Sequence, residues 1–157
     1  MAKIYFICGF IGSGKTTYAK KLAKQQPAFR FTIDEWMIPL YGEHMEREVF
    51  DARFDTLTAL FKASAEELLG LGTSVIFDFG LWGEAERRAM SCWAKSINVE
   101  YEMIYLDVSY QACCERAYSR NLKRGDQAYE MTPEMMAMFW DKFEKPSANE
   151  KITWLEL

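Results

Sequence analysis

Five short apolar runs divide the chain, and the segments between them carry hydrophobic residues at three- and four-residue steps. Residues 3–8 (KIYFIC), 28–33 (AFRFTI), 73–78 (TSVIFD), 98–108 and 152–157 (ITWLEL) read as strands, because apolar runs of this length bounded by turn residues mark buried sheet. Residues 17–26 read as a helix with Tyr18, Ala19, Leu22 and Ala23 on one face. The longest helical pattern runs over 43–69 and stops at Gly70 and Gly72; another spans 84–96. Ser109 is placed to cap a helix, and Thr132-Pro133-Glu134 is a helix start, with a hydroxyl cap, a proline in the first turn and an acid at the positive end of the dipole. Alternating strands and helices predict an α/β fold with an open sheet. Residues 36–42 form an aromatic and apolar connection that is either a pocket wall or the packed base of a helix.

The junction of the first strand and first helix carries the chemistry. Gly9-Phe10-Ile11-Gly12-Ser13-Gly14-Lys15-Thr16 fits G-x-x-x-x-G-K-[ST] at every fixed position. A polyphosphate gripped by backbone N–H groups needs a chain that curls closely around it, which Gly9, Gly12 and Gly14 permit. The following helix aims its unbonded N–H groups and positive dipole end at the phosphates. Lys15 is a mobile charge for the β- and γ-phosphates, and Thr16 offers a hydroxyl to Mg²⁺. The nucleotide set is therefore Gly9, Gly12, Ser13, Gly14, Lys15, Thr16 and Thr17.

Acids and arginines follow at telling places. The second strand is predicted to end at Asp34 and Glu35, on the sheet edge where ligands of open α/β proteins bind, so one of the two should face the γ-phosphate. Asp78 ends the third apolar run, where P-loop proteins set an aspartate on or near Mg²⁺. Arg116, Arg120 and Arg124 recur at four-residue steps and so share one stripe of a helix. Beside a triphosphate, such a stripe is the chemistry expected of a lid, with residues 123–126 as its tip. Arg87 and Arg88 are either surface salt-bridging groups or acceptor contacts, the surface reading being favoured. The acids in the first turns of the long helix are either a solvated face or an acidic mouth for a cationic acceptor.

Composition narrows the field further. With 157 residues, half of them hydrophobic and 27% charged, a single globular domain over 1–157 is expected. No segment approaches a membrane span, and the apolar start leads straight into the glycine loop, so a cytoplasmic protein is expected. Four cysteines without C-x-x-C spacing and one histidine read as reduced core thiols rather than a zinc site. A net charge of −4 gives no general footprint for nucleic acid.

The order of strand, glycine loop, helix, strand with Asp34, long helix, strand with Asp78, helix, strand and arginine helix resembles the adenylate-kinase-type small-molecule kinases of the P-loop superfamily, a group that includes gluconate and shikimate kinases, chloramphenicol phosphotransferase and polynucleotide kinase. Residues 34–37 with 40–42, 78–82 and 143–146 are similar to small bacterial ATP-binding proteins described as kinases. The resemblance implies a three-layer fold with a five-stranded parallel sheet of order 2-3-1-4-5, an acceptor region at about 34–70 and a lid at about 116–132. It also implies roles. Asp34 would take the acceptor hydroxyl's proton, Arg116 would lie over the base and Arg120 would meet the phosphates. Candidates on the acceptor side are Asp34, Trp36, Met37, Tyr41, Phe79 and Trp82. Met37 stands where polynucleotide kinase has an arginine, which speaks against a nucleic-acid acceptor. The expected activity is transfer of the γ-phosphoryl group of Mg-ATP to a hydroxyl of a small molecule, such as a sugar, an aminated sugar or an antibiotic-like compound. The alternatives are a polynucleotide or nucleoside kinase, and a nucleotide-dependent ATPase switch.

Overall fold

The computed structural model describes residues 1–123 and 129–156. The elements run β1 (Ile4–Cys8), α1 (Lys15–Gln25), β2 (Ala28–Phe31), α2 (Ile33–Tyr41), α3 (Arg47–Gly70), β3 (Ser74–Gly80), α4 (Glu84–Ser96), β4 (Tyr101–Asp107), α5 (Tyr110–Asn121), α6 (Pro133–Lys142) and β5 (Thr153–Glu156). The sheet is parallel throughout, in the order β2-β3-β1-β4-β5, as expected. β1 lies at its centre and is buried along its whole length, which accounts for an unbroken apolar run where a half-exposed strand would alternate.

Successive residues of β1 point to opposite faces and join different cores. Ile4, Phe6 and Cys8 pack with Phe31 and Phe77 under Leu57, Phe61 and Ala65 of α3 and Met90 and Ala94 of α4. Tyr5 and Ile7 pack with Ile76, Ile104 and Leu106 under Ala19 and Leu22 of α1. A third cluster, Phe10, Val108, Cys113, Ala117, Met131 and Met136, joins the glycine loop to α5 and α6. The sheet is thus covered on both faces, and α5 and α6 close over the end where the loop sits.

Two expectations about elements are corrected. β2 stops at Phe31, and residues 33–41 are helical rather than an end of strand followed by a connection. Pro39 lies inside α2, where it lacks an N–H for the ladder. Burial of Ile33, Met37 and Ile38 on the inner face outweighs that local cost. Asp34 and Glu35 therefore stand in the first turn of a helix, where acids favour the dipole. The helix starts are as predicted at both later caps: the Ser109 hydroxyl accepts from the Ala112 N–H at 3.2 Å, and that of Thr132 from Met135 at 3.2 Å. Of the cysteines, Cys8 and Cys113 are buried and Cys114 partly so, but Cys92 is exposed on α4 and is no core thiol. No helix among the described residues is long and apolar enough to cross a membrane.

Candidate functional site

The loop between β1 and α1 is held from both sides. Gly9 donates its N–H to the Gly80 carbonyl at 3.0 Å, tying the loop's start to the end of β3. Gly12 and Gly14 have φ values of 79° and 94°, a region in which only glycine is at ease. At Gly12 a Cβ would also lie 2.2 Å from the Cys113 carbonyl oxygen, so the loop is seated directly on the α5 backbone. The Phe10 ring is 2% exposed and is surrounded by Trp82, Tyr110, Trp140 and Phe143, with centroids 5.0–6.2 Å away. One loop residue thus anchors it in the α5–α6 cluster.

The start of α1 fits an anion. Gly14 is its N-cap, without a side chain to bond the free N–H groups, and its first turn contains no acid. Those N–H groups remain open to an outside acceptor. Lys15 Nζ donates to the Phe10 carbonyl at 3.0 Å, folded back over the loop. Its pKa is lowered by burial, with the carboxylates of Asp78 and Asp34 working against that shift.

Thr16 donates its hydroxyl to Asp78 Oδ2 at 3.1 Å. The pair has the character of a Mg²⁺ site, a hydroxyl and a nearby carboxylate with the remaining positions left for water and phosphate oxygens. Among the described residues no group of three or more His, Cys, Asp or Glu could cage a metal. Burial raises the Asp78 pKa, opposed by Lys15, the Thr16 hydrogen bond and Arg30. Arg30 is a residue that the sequence reading missed. Its guanidinium stands 3.8 Å from Asp78 Oδ2 and forms a forked pair with Glu35 at 2.5 and 3.0 Å. Of the two acids, Glu35 is bound by Arg30, and Asp34 is the one whose charge acts on Lys15.

Asp34 is half-buried, and its carboxyl is pushed up to about 6, chiefly by burial. The charges of Lys15 and Arg120 lower it, while Asp78 and Glu35 add to the rise. At the ordinary value of 3.8 the group would be a weak base; near 6 it is much better matched to neutral pH. Arg116 Nη1 donates to the Ser13 carbonyl at 3.2 Å, so the first arginine of the stripe touches the loop itself. Arg116 and Arg120 both keep exposed surface, and Arg124 lies outside the described residues. Asn121, also unforeseen, donates to the Met131 carbonyl at 2.6 Å and accepts from the Met131 N–H at 2.9 Å. That side chain joins the end of α5 to the backbone just before α6 as a strand partner would.

The acceptor-side candidates fare differently. Trp36 and Tyr41 keep more than two fifths of their surface exposed, Trp36 lying edge-on to Phe61 and Tyr41 beneath the Arg53 guanidinium at 4.0 Å. Met37 is fully buried in the core below α3 and has no surface to offer an acceptor. Phe79 is partly buried against Phe54, Phe61 and Phe77. Trp82 lies on Phe10 and Phe139, in the cluster that anchors the loop. The expectation for Arg87 is also corrected: it is 2% exposed, forks onto Glu150 at 2.7 and 3.1 Å and donates to the Leu81 carbonyl at 2.8 Å. Arg88 is an exposed partner of Glu84, as favoured. Leu81 has a φ of 49°, and Arg87 secures that turn.

A parallel sheet of this order, a glycine loop aimed from its central strand and a helix start open to anions define a P-loop nucleotide-binding domain of kinase-like type. Residues 4–146 match the model of an AAA domain family, and the chain belongs to that family. No curated protein shows significant sequence similarity to it. Among solved structures it is similar to Kti12 of Chaetomium thermophilum in complex with ADP-AlF3, at 19% identity over 98% of this chain and 88% of that one, TM-score 0.73. A gluconokinase from Sinorhizobium meliloti aligns at 15% identity over 99% and 82%, TM-score 0.63. A chain of the Pnkp1/Rnl/Hen1 RNA repair complex aligns at 18% identity over 90% of this chain and 43% of that one, TM-score 0.72. At these identities the likeness is one of fold.

Proposed function

We propose that the protein is an ATP-dependent phosphotransferase that moves the γ-phosphoryl group to a hydroxyl of a small molecule. The observation that carries the reading is the place of Asp34 in the first turn of α2, directly after β2 on the sheet that carries the glycine loop, with its charge acting on Lys15 and burial pushing its carboxyl up to about 6. A carboxylate held up by burial is better matched to accepting a proton at neutral pH than one held down by an ion pair.

The backbone of residues 12–17 and the Lys15 ammonium hold the phosphates, Lys15 leaving the Phe10 carbonyl to do so. Thr16, with Asp78 beyond it, would hold Mg²⁺, which would supply positive charge to the phosphates. Arg116 and Arg120 bring guanidinium groups to the transferring phosphoryl. The acceptor oxygen bonds to the γ-phosphorus while the bond from that phosphorus to the departing ADP oxygen breaks, and the hydroxyl proton passes to Asp34. In a loose transition state alignment counts for more than proton removal, so Asp34 contributes by orienting the hydroxyl as well as by accepting its proton.

Label in the γ-position of ATP, followed with Mg²⁺ in a metabolite extract, tests the reading. Label recovered in a small molecule, and lost with Asp34→Asn, is the expected result. Label confined to inorganic phosphate and unchanged by the substitution would overturn it in favour of an ATPase switch. Label in a nucleic-acid fraction would move the acceptor class instead.

A further inference from the structure

Asp78 is held by one oxygen only. Its Oδ2 accepts the Thr16 hydroxyl at 3.1 Å from the start of α1, and Arg30 Nη1 stands 3.8 Å from the same atom on the side of β2. No hydrogen bond reaches Oδ1 from the described residues, and that atom is not among their enclosed, unpaired oxygens. Strand parity brings the groups together. Arg30 pairs with Ile76 in the parallel register and Asp78 lies two residues further along β3, so both side chains rise on the face that α1 covers.

Arg30 is itself fixed. Its Nη1 and Nη2 fork onto Glu35 Oε2 and Oε1 at 2.5 and 3.0 Å, a planar match that sets the orientation of the guanidinium. The side chains of Arg30, Glu35 and Asp78 are 16%, 17% and 2% exposed, so their charges act on one another with little screening by water. A brace between β2 and α2 would need the fork alone. It would not need the nitrogen of the shorter arm to stand beside the carboxylate of the next strand, nor that carboxylate to leave one oxygen unused.

We propose, on the Mg-nucleotide part of the reading above, that Arg30 is a positioning residue for Asp78: with Thr16 it holds Oδ2 and so presents Oδ1 to Mg²⁺ and its water. Glu35 cancels the guanidinium charge, so that a cation beside Asp78 meets no unbalanced neighbour of its own sign. The same fork ties the metal carboxylate to the first turn of α2, in which Asp34 precedes Glu35. Arg30 acts through Asp78, as outer-shell partners of metal ligands do.

The test compares Arg30→Met, and Arg30→Met with Glu35→Gln, against wild type in the full chain. A non-hydrolysable ATP analogue is titrated calorimetrically in Mg²⁺ and again in EDTA, and the melting temperature of each protein is measured. Wild type should bind the analogue more tightly in Mg²⁺. Both variants should bind it about tenfold more weakly than wild type in Mg²⁺ and within about twofold of wild type in EDTA. The single variant should also melt lower, because it strands the Glu35 carboxylate, and the double variant should regain most of that loss. An intact Mg²⁺ effect would overturn the proposal whatever the melting temperatures, leaving Arg30 a brace of the fold. Equal weakening with and without Mg²⁺, or a wild type indifferent to the metal, would overturn it too. The titration is independent of where the phosphoryl group goes: label that reaches only inorganic phosphate would refute the phosphotransferase reading and leave this comparison standing.

Discussion

The opposite charges of Asp34 and Lys15 act on each other, yet burial shifts each toward its neutral form. For Asp34 this makes two pH predictions. Turnover should rise with pH through about 6 as the carboxyl loses its proton, and Asp34→Asn should remove that limb of the profile. Stability should move in the opposite sense. A group whose folded pKa is raised contributes stability that is fully present below its ordinary 3.8 and is lost as pH rises through about 6. Asp34→Asn should therefore be more stable than wild type by about 1–2 kcal/mol at pH 7.5 and show no gain near pH 3.5, as read by denaturant melts at the two values. Lys15→Met should weaken Mg-ATP binding by about 10- to 100-fold, the worth of a charged hydrogen bond, in a calorimetric titration.

At the scale of elements, the glycine loop moves only as far as α5 allows, because the Cys113 carbonyl occupies the space beside Gly12. Gly12→Ala should abolish nucleotide binding while leaving a folded chain, which circular dichroism and calorimetry would separate. Asn121→Ala removes both hydrogen bonds to the Met131 backbone. Hydrogen exchange at the end of α5 and the start of α6 should then quicken with a loss of about 1–2 kcal/mol in stability. The site's legibility in the sequence follows the range of its interactions. The loop could be read because its phosphate chemistry is local, every glycine and Lys15 lying within a few residues of one another. Asp78 could be read because an apolar run ends on it. Asp34 was legible as a residue and not as an element: Pro39 locally disfavours a helix, and the burial of Met37 and Ile38 that overrides it is a tertiary effect. Arg30 and Asn121 gave no signal, since the first joins Glu35 to Asp78 of the neighbouring strand and the second bonds backbone groups.

Across the whole molecule, the segment after α6 is pinned by Arg87, whose fork onto Glu150 spans 63 residues and also secures the Leu81 turn. Arg87 holds Glu150 below the usual carboxylate range, with the Ser147 N–H adding to the effect. That contribution is present above the ordinary pKa of 4.5 and is lost as pH falls through the lower folded value. Arg87→Ala should cost about 3–5 kcal/mol, because it strands a carboxylate, whereas Arg87→Met with Glu150→Leu should recover most of that loss. Chemical denaturation of the single and double variants checks the pair. The fold thus places the glycine loop at the centre of the sheet and seats it on α5, and on the proposed reading Asp34 serves it as the base. The most direct test of that division of labour measures Mg-ATP affinity and ATP-dependent phosphorylation in the extract for Asp34→Asn. The account predicts affinity within about twofold of wild type and turnover lower by about 100-fold or more, as befits loss of a positioned base. Affinity and turnover falling together, or turnover left intact, would contradict it.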